Sequence, residues 1–385
     1  MAKTRGHVLI AGVTTRALAV SAAQAGYRVT AIDAFGDLDL RAAAEVIVAR
    51  PIHPNLPYGP VQAAAEGDRV DAELAAFTSN FENYPSAVQR LARGRRLLGN
   101  TPEILMRVRN PFAVSRVLRR YGHMAPETRS RPPASAQGQW LMKPRRSGGG
   151  HGIMLWTRGR TVPRSMYLQQ RIAGIPGSIS FAGDGSSAVV LGFTRQLIGE
   201  SRLGARRYRY CGSLLGNHQV KLFPRQHELL ERAAQVATAI TREFHLVGLN
   251  GIDFVARHGV PYPIEVNPRF SASMELIERA HGISMFQVHY DACCGVLPAF
   301  PGRQPTLYGK GIVFAREETQ IPKAGQWMPQ PWMADVPRAG EHIRQGRPIC
   351  TVFASAGNPA TCHRLLLKRA AWVYRAVASR EWRAA

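Results

Sequence analysis

The stretch GLNGIDFVARHGVPYPIEVNPRF, residues 248–270, constrains this chain more than any other. Two runs with alternating apolar residues flank His258-Gly259, a dipeptide suited to the tight turn of a β-hairpin. A turn there sets Asp253 opposite Glu265, with Asn267 and Arg269 on the same face. Like charges directly across a sheet cost roughly 0.2–1 kcal/mol, so a fold that keeps two carboxylates together calls for a cation between them. An all-oxygen donor set of this kind suits Mg²⁺, which takes one or two carboxylates and completes its shell with water and phosphate. Asp253, Glu265 and Asn267 are therefore candidate metal ligands, and Arg269 the candidate partner of an anion. An ordinary Asp253–Arg269 ion pair on a solvated strand accounts for the hairpin equally well.

A second stretch, QWLMKPRRSGGGHGIMLW, residues 139–156, places Lys143 at the end of a short strand and a glycine-rich loop over 146–152. With no Cβ at Gly148, Gly149, Gly150 and Gly152, backbone N–H groups beside Ser147 approach phosphate oxygens closely, and Lys143 supplies a point charge. The loop joins two strands and lacks G-x-x-x-x-G-K-[ST], so it is not a Walker A loop. Alone it reads as a flexible turn; with the downstream hairpin it makes a nucleotide site. Between them lies MYLQQRIAGIPGSISF, residues 166–181, whose link residues Gln169, Gln170 and Ile172 are placed to offer backbone groups to an adenine edge, with Met166, Leu168 and Ile172 on its faces. An ordinary interior strand is an equal alternative.

The remaining pattern is mixed. Residues 7–11, 16–25 and 27–32 read as a β-α-β start without the glycine fingerprint of a dinucleotide site, followed by an acidic run, AFGDLDLRAAAEV, that is a candidate cleft lining. Asn110-Pro111 opens an amphipathic helix that stops at Gly122, and a Pro/Ser-rich link runs to Gln139. Residues 224–244 form a helix with Leu229, Ala233, Val236 and Ile240 inward; the last 85 or so residues carry short β-like runs and end in a helix over 362–376.

At 385 residues with 45% apolar content, the chain has material for two or three domains. The formal charge of +24 attracts anions of many kinds, from nucleotides and acidic metabolites to nucleic acid. Of 50 basic residues only six are Lys, and no block of five consecutive basic residues marks a nucleic-acid tail. Five cysteines without a C-x-x-C pair argue against a zinc site and a disulfide frame, and fit a reducing cytoplasm. The basic and apolar N-terminal residues are broken by Thr14, Thr15 and Arg16, favouring a strand and helix over a signal peptide, and no run reaches a membrane span. The segment RLGARRYRY is the candidate reader of an acidic substrate through Arg202, Arg206, Arg207, Tyr208 and Tyr210, a solvated basic loop being the equal alternative.

Taken in order, Lys143-Pro144, the glycine loop, LQQRI, GIDF and EVNPR resemble the ATP-grasp superfamily of ATP-dependent carboxylate–amine ligases over residues 100–298. The resemblance implies an α/β and α+β chain: a Rossmann-like N-terminal domain over 1–98, an ATP-grasp domain of two α+β subdomains over 99–298, and a small β-rich C-terminal region over 299–385. It implies ATP with Mg²⁺, two ions with Mn²⁺ as the substitute, held by Asp253, Glu265 and Asn267. Lys143 and the loop would meet phosphates, the Gln169–Ile172 link adenine, and Arg269 the transferred phosphoryl and acyl phosphate. The opening 35 or so residues, RQLIGESRLGARRYRYCGSLLG and DVPRAGEHIRQGRPICTVFA are similar to the predicted carboligase branch, itself similar to the tyramine–glutamate ligase of methanofuran biosynthesis. This implies an acidic small molecule, glutamate or a glutamyl compound, and an amine as partners, in a cytoplasmic enzyme open to homo-oligomer formation, with neither membrane nor nucleic acid. A basic nucleic-acid-binding protein and a noncatalytic nucleotide binder are the alternatives. The chain departs from the family twice: Asn110-Pro111 stands where many relatives have a phosphate-binding lysine, with Arg107 and Arg109 as candidate replacements, and Gln169-Gln170 replaces a carboxylate-bearing adenine link.

Overall fold

The structure, a computed structural model, describes residues 5–49, 59–132, 139–216, 219–299, 306–322 and 329–378. The centre of the expected Pro/Ser-rich link, 133–138, and the first four residues of the N-terminal run lie outside them.

The N-terminal domain is a parallel sheet of β1 (His7–Ala11), β2 (Arg28–Asp33), β3 (Glu45–Val48), β4 (Leu74–Phe77) and β5 (Arg96–Leu98), in the order β3-β2-β1-β4-β5. Its strands are apolar on both faces because helices cover both, as a parallel sheet requires. Asp39 accepts the backbone N–H groups of Asp335 and Val336 at 2.9 and 3.0 Å, so the acidic run docks this domain against the C-terminal region.

A small antiparallel sheet follows, ordered β6-β9-β7-β8, from β6 (Thr128–Arg129), β7 (Trp140–Pro144), β8 (Met154–Leu155) and β9 (Met166–Gln170). Period two divides its faces. Trp140, Met142 and Leu168 pack on Trp156, while Lys143, Tyr167 and Gln169 turn the other way. The expectation that Met166 and Leu168 pack on adenine is thereby corrected, since both belong to that opposite apolar face.

The large sheet holds β10 (Ile175–Asp184), β11 (Ala188–Ile198), β12 (Tyr210–Leu215), β13 (Val247–Arg257) and β14 (Val260–Asn267). Downstream come β15 (Leu307–Phe314), β16 (Thr319–Gln320), β17 (Met333–Ala334), β18 (His342–Ile343) and β19 (Pro348–Ala356). Of these, β15, β17 and β19 extend the same sheet, in the order β14-β13-β10-β11-β12-β15-β19-β17, and β16 pairs with β18. The residues after 299 therefore share a sheet with the region before them. The helix Gln226–Phe244 buries Leu229, Ala233, Val236 and Ile240 as its periodicity predicts. The helix Pro111–Arg120 is capped by the Asn110 side chain, which accepts from Phe112 N and Ala113 N at 3.0 and 3.3 Å. Capping gives Asn110 a structural role.

Candidate active site

The hairpin turns at His258 and Gly259, whose φ values of 52° and 77° are those of a type I′ turn. Asp253 falls directly opposite Glu265, and Gly251 opposite Asn267. The register then slips, with Phe254 opposite Pro263 and Ile264 left over as a bulge. Because β14 is an edge strand, Pro261 and Pro263 break no interior ladder. The bulged Ile264 carbonyl turns toward the small sheet, accepting from Lys143 Nζ at 3.2 Å and from Gln169 Nε2 at 3.3 Å. Lys143 Nζ also donates to Gln169 Oε1 at 3.1 Å. A single irregularity in the ladder thus joins Lys143 to the hairpin that carries Asp253 and Glu265.

Electrostatics divides the two carboxylates. Burial and the nearby charge of Glu265 push Asp253 up to about 6. Burial also pushes Glu265 up, but Arg109, Lys143 and Arg269 outweigh it and hold this carboxyl below its ordinary value. Asp253 receives amides from Gln196 Nε2 at 2.9 Å and Asn267 Nδ2 at 3.1 Å, and the Ser178 hydroxyl. The simple Asp253–Arg269 ion pair does not form. Arg269 pairs instead with Glu82 at 2.9 Å and donates to Asn267 Oδ1 at 3.3 Å. Two opposed half-buried carboxylates beside an amide oxygen are a donor set that fits Mg²⁺.

Arg109 is the residue on which the site converges. Its guanidinium donates to Glu265 Oε1 and Val266 O at 2.8 Å each, to Asn83 Oδ1 at 2.9 and 3.1 Å, and to Ser147 O at 3.1 Å. It thereby ties the Asp253–Glu265 hairpin, the N-terminal domain and the glycine loop together, and of the two candidate replacements for the missing lysine it is the one in the site. Arg107 reaches the Glu243 carbonyl and the Phe244 ring instead. The loop is closed: Ser147 Oγ donates to His151 O at 2.7 Å, Tyr210 N donates to Gly149 O at 3.1 Å, and Gly150 lies against Tyr208 O.

Lys143, Ser147, Gly150, Gln169, Glu265 and Arg109 line one pocket, closed above by the apolar face of the helix Pro111–Arg120. About 50 Å³ is open within it, far below the roughly 300–1,000 Å³ of a ligand site, with the glycine loop seated. Gly148, Gly149 and Gly152 shape the loop without lining the pocket. Gln170 and Ile172 also lie outside its lining, and the Gln170 N–H already donates to Glu127 O at 2.8 Å.

The basic segment is divided. Arg202 pairs with Glu200 at 3.0 Å, and Arg206 and Arg207 are exposed. Tyr208 supplies the carbonyl against Gly150. Tyr210 turns inward, its Oη 2.9 Å from Ser213 Oγ, and burial raises its phenol. Sequence reasoning missed Glu82, Asn83 and Gln196. The first two come from the segment after β4 and reach the site only through domain docking; Gln196 on β11 reaches Asp253 on β13 past the one intervening strand, β10.

With this geometry in place, comparison with known proteins is decisive on one point. Residues 108–273 match the ATP-grasp domain family. That stretch, fewer than half of the chain's residues, is similar to an ATP-grasp domain. An uncharacterised protein of Methanocaldococcus jannaschii is 23% identical over 371 residues, covering 90% of this chain and 87% of that one. Among solved structures, pyruvate carboxylase of Rhizobium etli superposes with a TM-score of 0.71 at 14% identity, covering 96% of this chain. This chain spans only 39% of that carboxylase's length. The ADP complex of N5-carboxyaminoimidazole ribonucleotide synthetase matches end to end, with a TM-score of 0.68, 14% identity and coverage of 97% and 98%. At such identities the likeness is one of fold.

Proposed function

We propose that this protein is an ATP-dependent carboxylate–amine ligase that forms an amide through an acyl phosphate. The observation that carries the reading is the direct opposition of Asp253 and Glu265 beside Lys143, Arg109 and a closed glycine loop. Asp253, Glu265 and Asn267 would hold Mg²⁺, which when bound neutralises phosphate charge. Lys143 and the loop amides orient the terminal phosphates of ATP. A substrate carboxylate oxygen bonds to the γ-phosphorus as the bond to ADP breaks. An amine then bonds to the acyl carbon as the carbon–oxygen bond to phosphate breaks, and the nitrogen's proton leaves with phosphate or solvent. Arg269, held by Glu82 and Asn267, stabilises the charge on the acyl phosphate and departing phosphate. Loop closure keeps water from the intermediate. No protein nucleophile is needed.

The acid we favour is glutamate or a glutamyl compound, in the assembly of a methanofuran-like one-carbon cofactor. Its support is the resemblance to the carboligase branch and the basic segment beside the glycine loop. The test is a screen of amino acids against amines, tyramine with glutamate included, for ATP-dependent phosphate release and a new amide mass. Release confined to glutamate-like acids is expected, with turnover falling at least about 100-fold in Glu265→Gln. Equal turnover in that variant, or release without an amide, would overturn the reading.

A further inference from the structure

Behind the glycine loop, away from the nucleotide pocket, a hollow of about 410 Å³ opens between the turn at Ser201 and Gly204 and two C-terminal loops at Arg316 and Gly346. It shares no lining residue with the nucleotide pocket, and its volume lies within the range of small-molecule sites. Three arginines line it, Arg206, Arg209 and Arg316, and no carboxylate does. The nearest acidic group of this segment, Glu200, is engaged with Arg202 at 3.0 Å and His363 at 3.3 Å.

Two of the three guanidinium groups, those of Arg209 and Arg316, are held by contacts that fix their planes without cancelling their charge, and Arg206 is exposed beside them. Arg209 lies 4.2 Å from the Phe314 ring and donates to Gly346 O, while its Nε is buried without a hydrogen-bond partner. Arg316 lies 4.0 Å from the Tyr374 ring and donates to Arg202 O at 3.1 Å. Burial, then the charge of Arg347, weakens the hold of Arg209 on its proton. Like charges gathered in a concavity with no acid among them repel at a cost that a bound anion removes, and planar forks fixed in advance match carboxylate or phosphate two bonds at a time. The hollow also touches the loop: Arg209 Nη2 lies 3.3 Å from His151 Nε2, and Gly150 rests on the backbone of Tyr208 and Arg209.

We infer that this hollow binds a small molecule carrying two or more anionic groups, at a site separate from the nucleotide pocket, and that its occupancy favours the closed glycine loop. The meaning of closure for ATP rests on the ligase reading; the binding itself does not. The experiment is therefore done without ATP or turnover. Citrate, a triglutamate peptide and pyrophosphate are titrated calorimetrically into the full chain at matched ionic strength, with acetate as the single-charge reference. Saturable one-to-one binding is expected for at least one polyanion and not for acetate. It weakens about tenfold or more in Arg206→Gln and in Arg316→Gln, the loss of one charge-assisted contact each. The peptide and citrate arms separate a carboxylate ligand from the phosphate ligand of the pyrophosphate arm. Binding that is non-saturating, or equal in both variants, overturns the site as general attraction to a basic surface. Hydrogen exchange over residues 146–152 is expected to slow on binding, and unchanged exchange in a saturated complex overturns the link to the loop.

Discussion

Asp253 is arranged for ligand binding at the expense of the folded state. Its pKa, pushed up to about 6 by burial and by Glu265, means that the native protein holds this proton where the unfolded chain, near 3.8, has released it. The stabilising contribution is complete below about pH 4 and is lost as the pH rises through about 6. Asp253→Asn keeps the shape and an acceptor for Gln196 while removing the charge. The metal-free variant should therefore be more stable than the parent at pH 7.5, on the order of 1 kcal/mol once screening at a half-buried group is allowed for. The gain should vanish below pH 4, while turnover is lost. Thermal melts in chelator across pH 4–8 test this, and a variant less stable at every pH would contradict it. The carboxylate pair was legible in the sequence because a two-residue turn and a period of two fix which residues oppose. Arg109 was legible only as one of two candidates, since its role depends on the Asn83 and Ser147 groups it gathers from distant segments.

At the level of elements, the glycine loop and the bulged strand act as one device. Ile264, displaced from the ladder, receives Lys143 and Gln169; the loop following Lys143 closes over them and is fastened by Arg109 and Tyr210 N. Turn chemistry and glycine content were readable in advance, but the bulge was not, because nothing in PYPIEVN states which residue drops out of register. Gly150 tests the device. At φ +80° an added Cβ would lie 1.9 Å from Tyr208 O, whereas at Gly148 it meets nothing within 4 Å. Gly150→Ala should therefore hold the loop off its seat and reduce kcat/KM for ATP on the order of 100-fold, with the unfolding midpoint little changed. Gly148→Ala should cost much less. Equal effects of the two substitutions, read by steady-state kinetics and urea unfolding, would mean that loop seating does not govern the reaction.

Across the whole molecule, the three regions meet at a buried ionic cluster that no local pattern announces. Arg16, at the start of the first helix, donates to Glu275 at 3.0 Å and to Asp335 at 2.9 Å, and lies 3.3 Å from Asp39. Lys310 donates to Glu275 at 2.6 Å. The N-terminal domain, the segment after Arg269 and the C-terminal strands are thus pinned at one point, with Arg16, Glu275 and Lys310 each at most 5% exposed. The mixed α/β character was legible from the sequence because strands and helices write their own periodicities; this seam was not, because its members stand at positions 16, 275, 310 and 335 and only packing unites them. Burial raises Glu275, but the charges of Arg16 and Lys310 outweigh it and hold this carboxyl far below its ordinary range. The stability it contributes is present above the unfolded value of 4.5 and is lost as the pH falls into the acid range. Replacing Arg16 by methionine keeps the bulk of the stem yet removes the guanidinium between buried Glu275, left with Lys310 and Arg279, and half-buried Asp335. That variant should lose about 3–5 kcal/mol of unfolding free energy at pH 7, the penalty for stranding a buried charge, with the deficit shrinking as the carboxylates protonate toward pH 3. Urea titrations at both pH values measure it. A deficit below about 1 kcal/mol, or one that does not change with pH, would assign the cohesion of the domains to their apolar contacts rather than to this cluster.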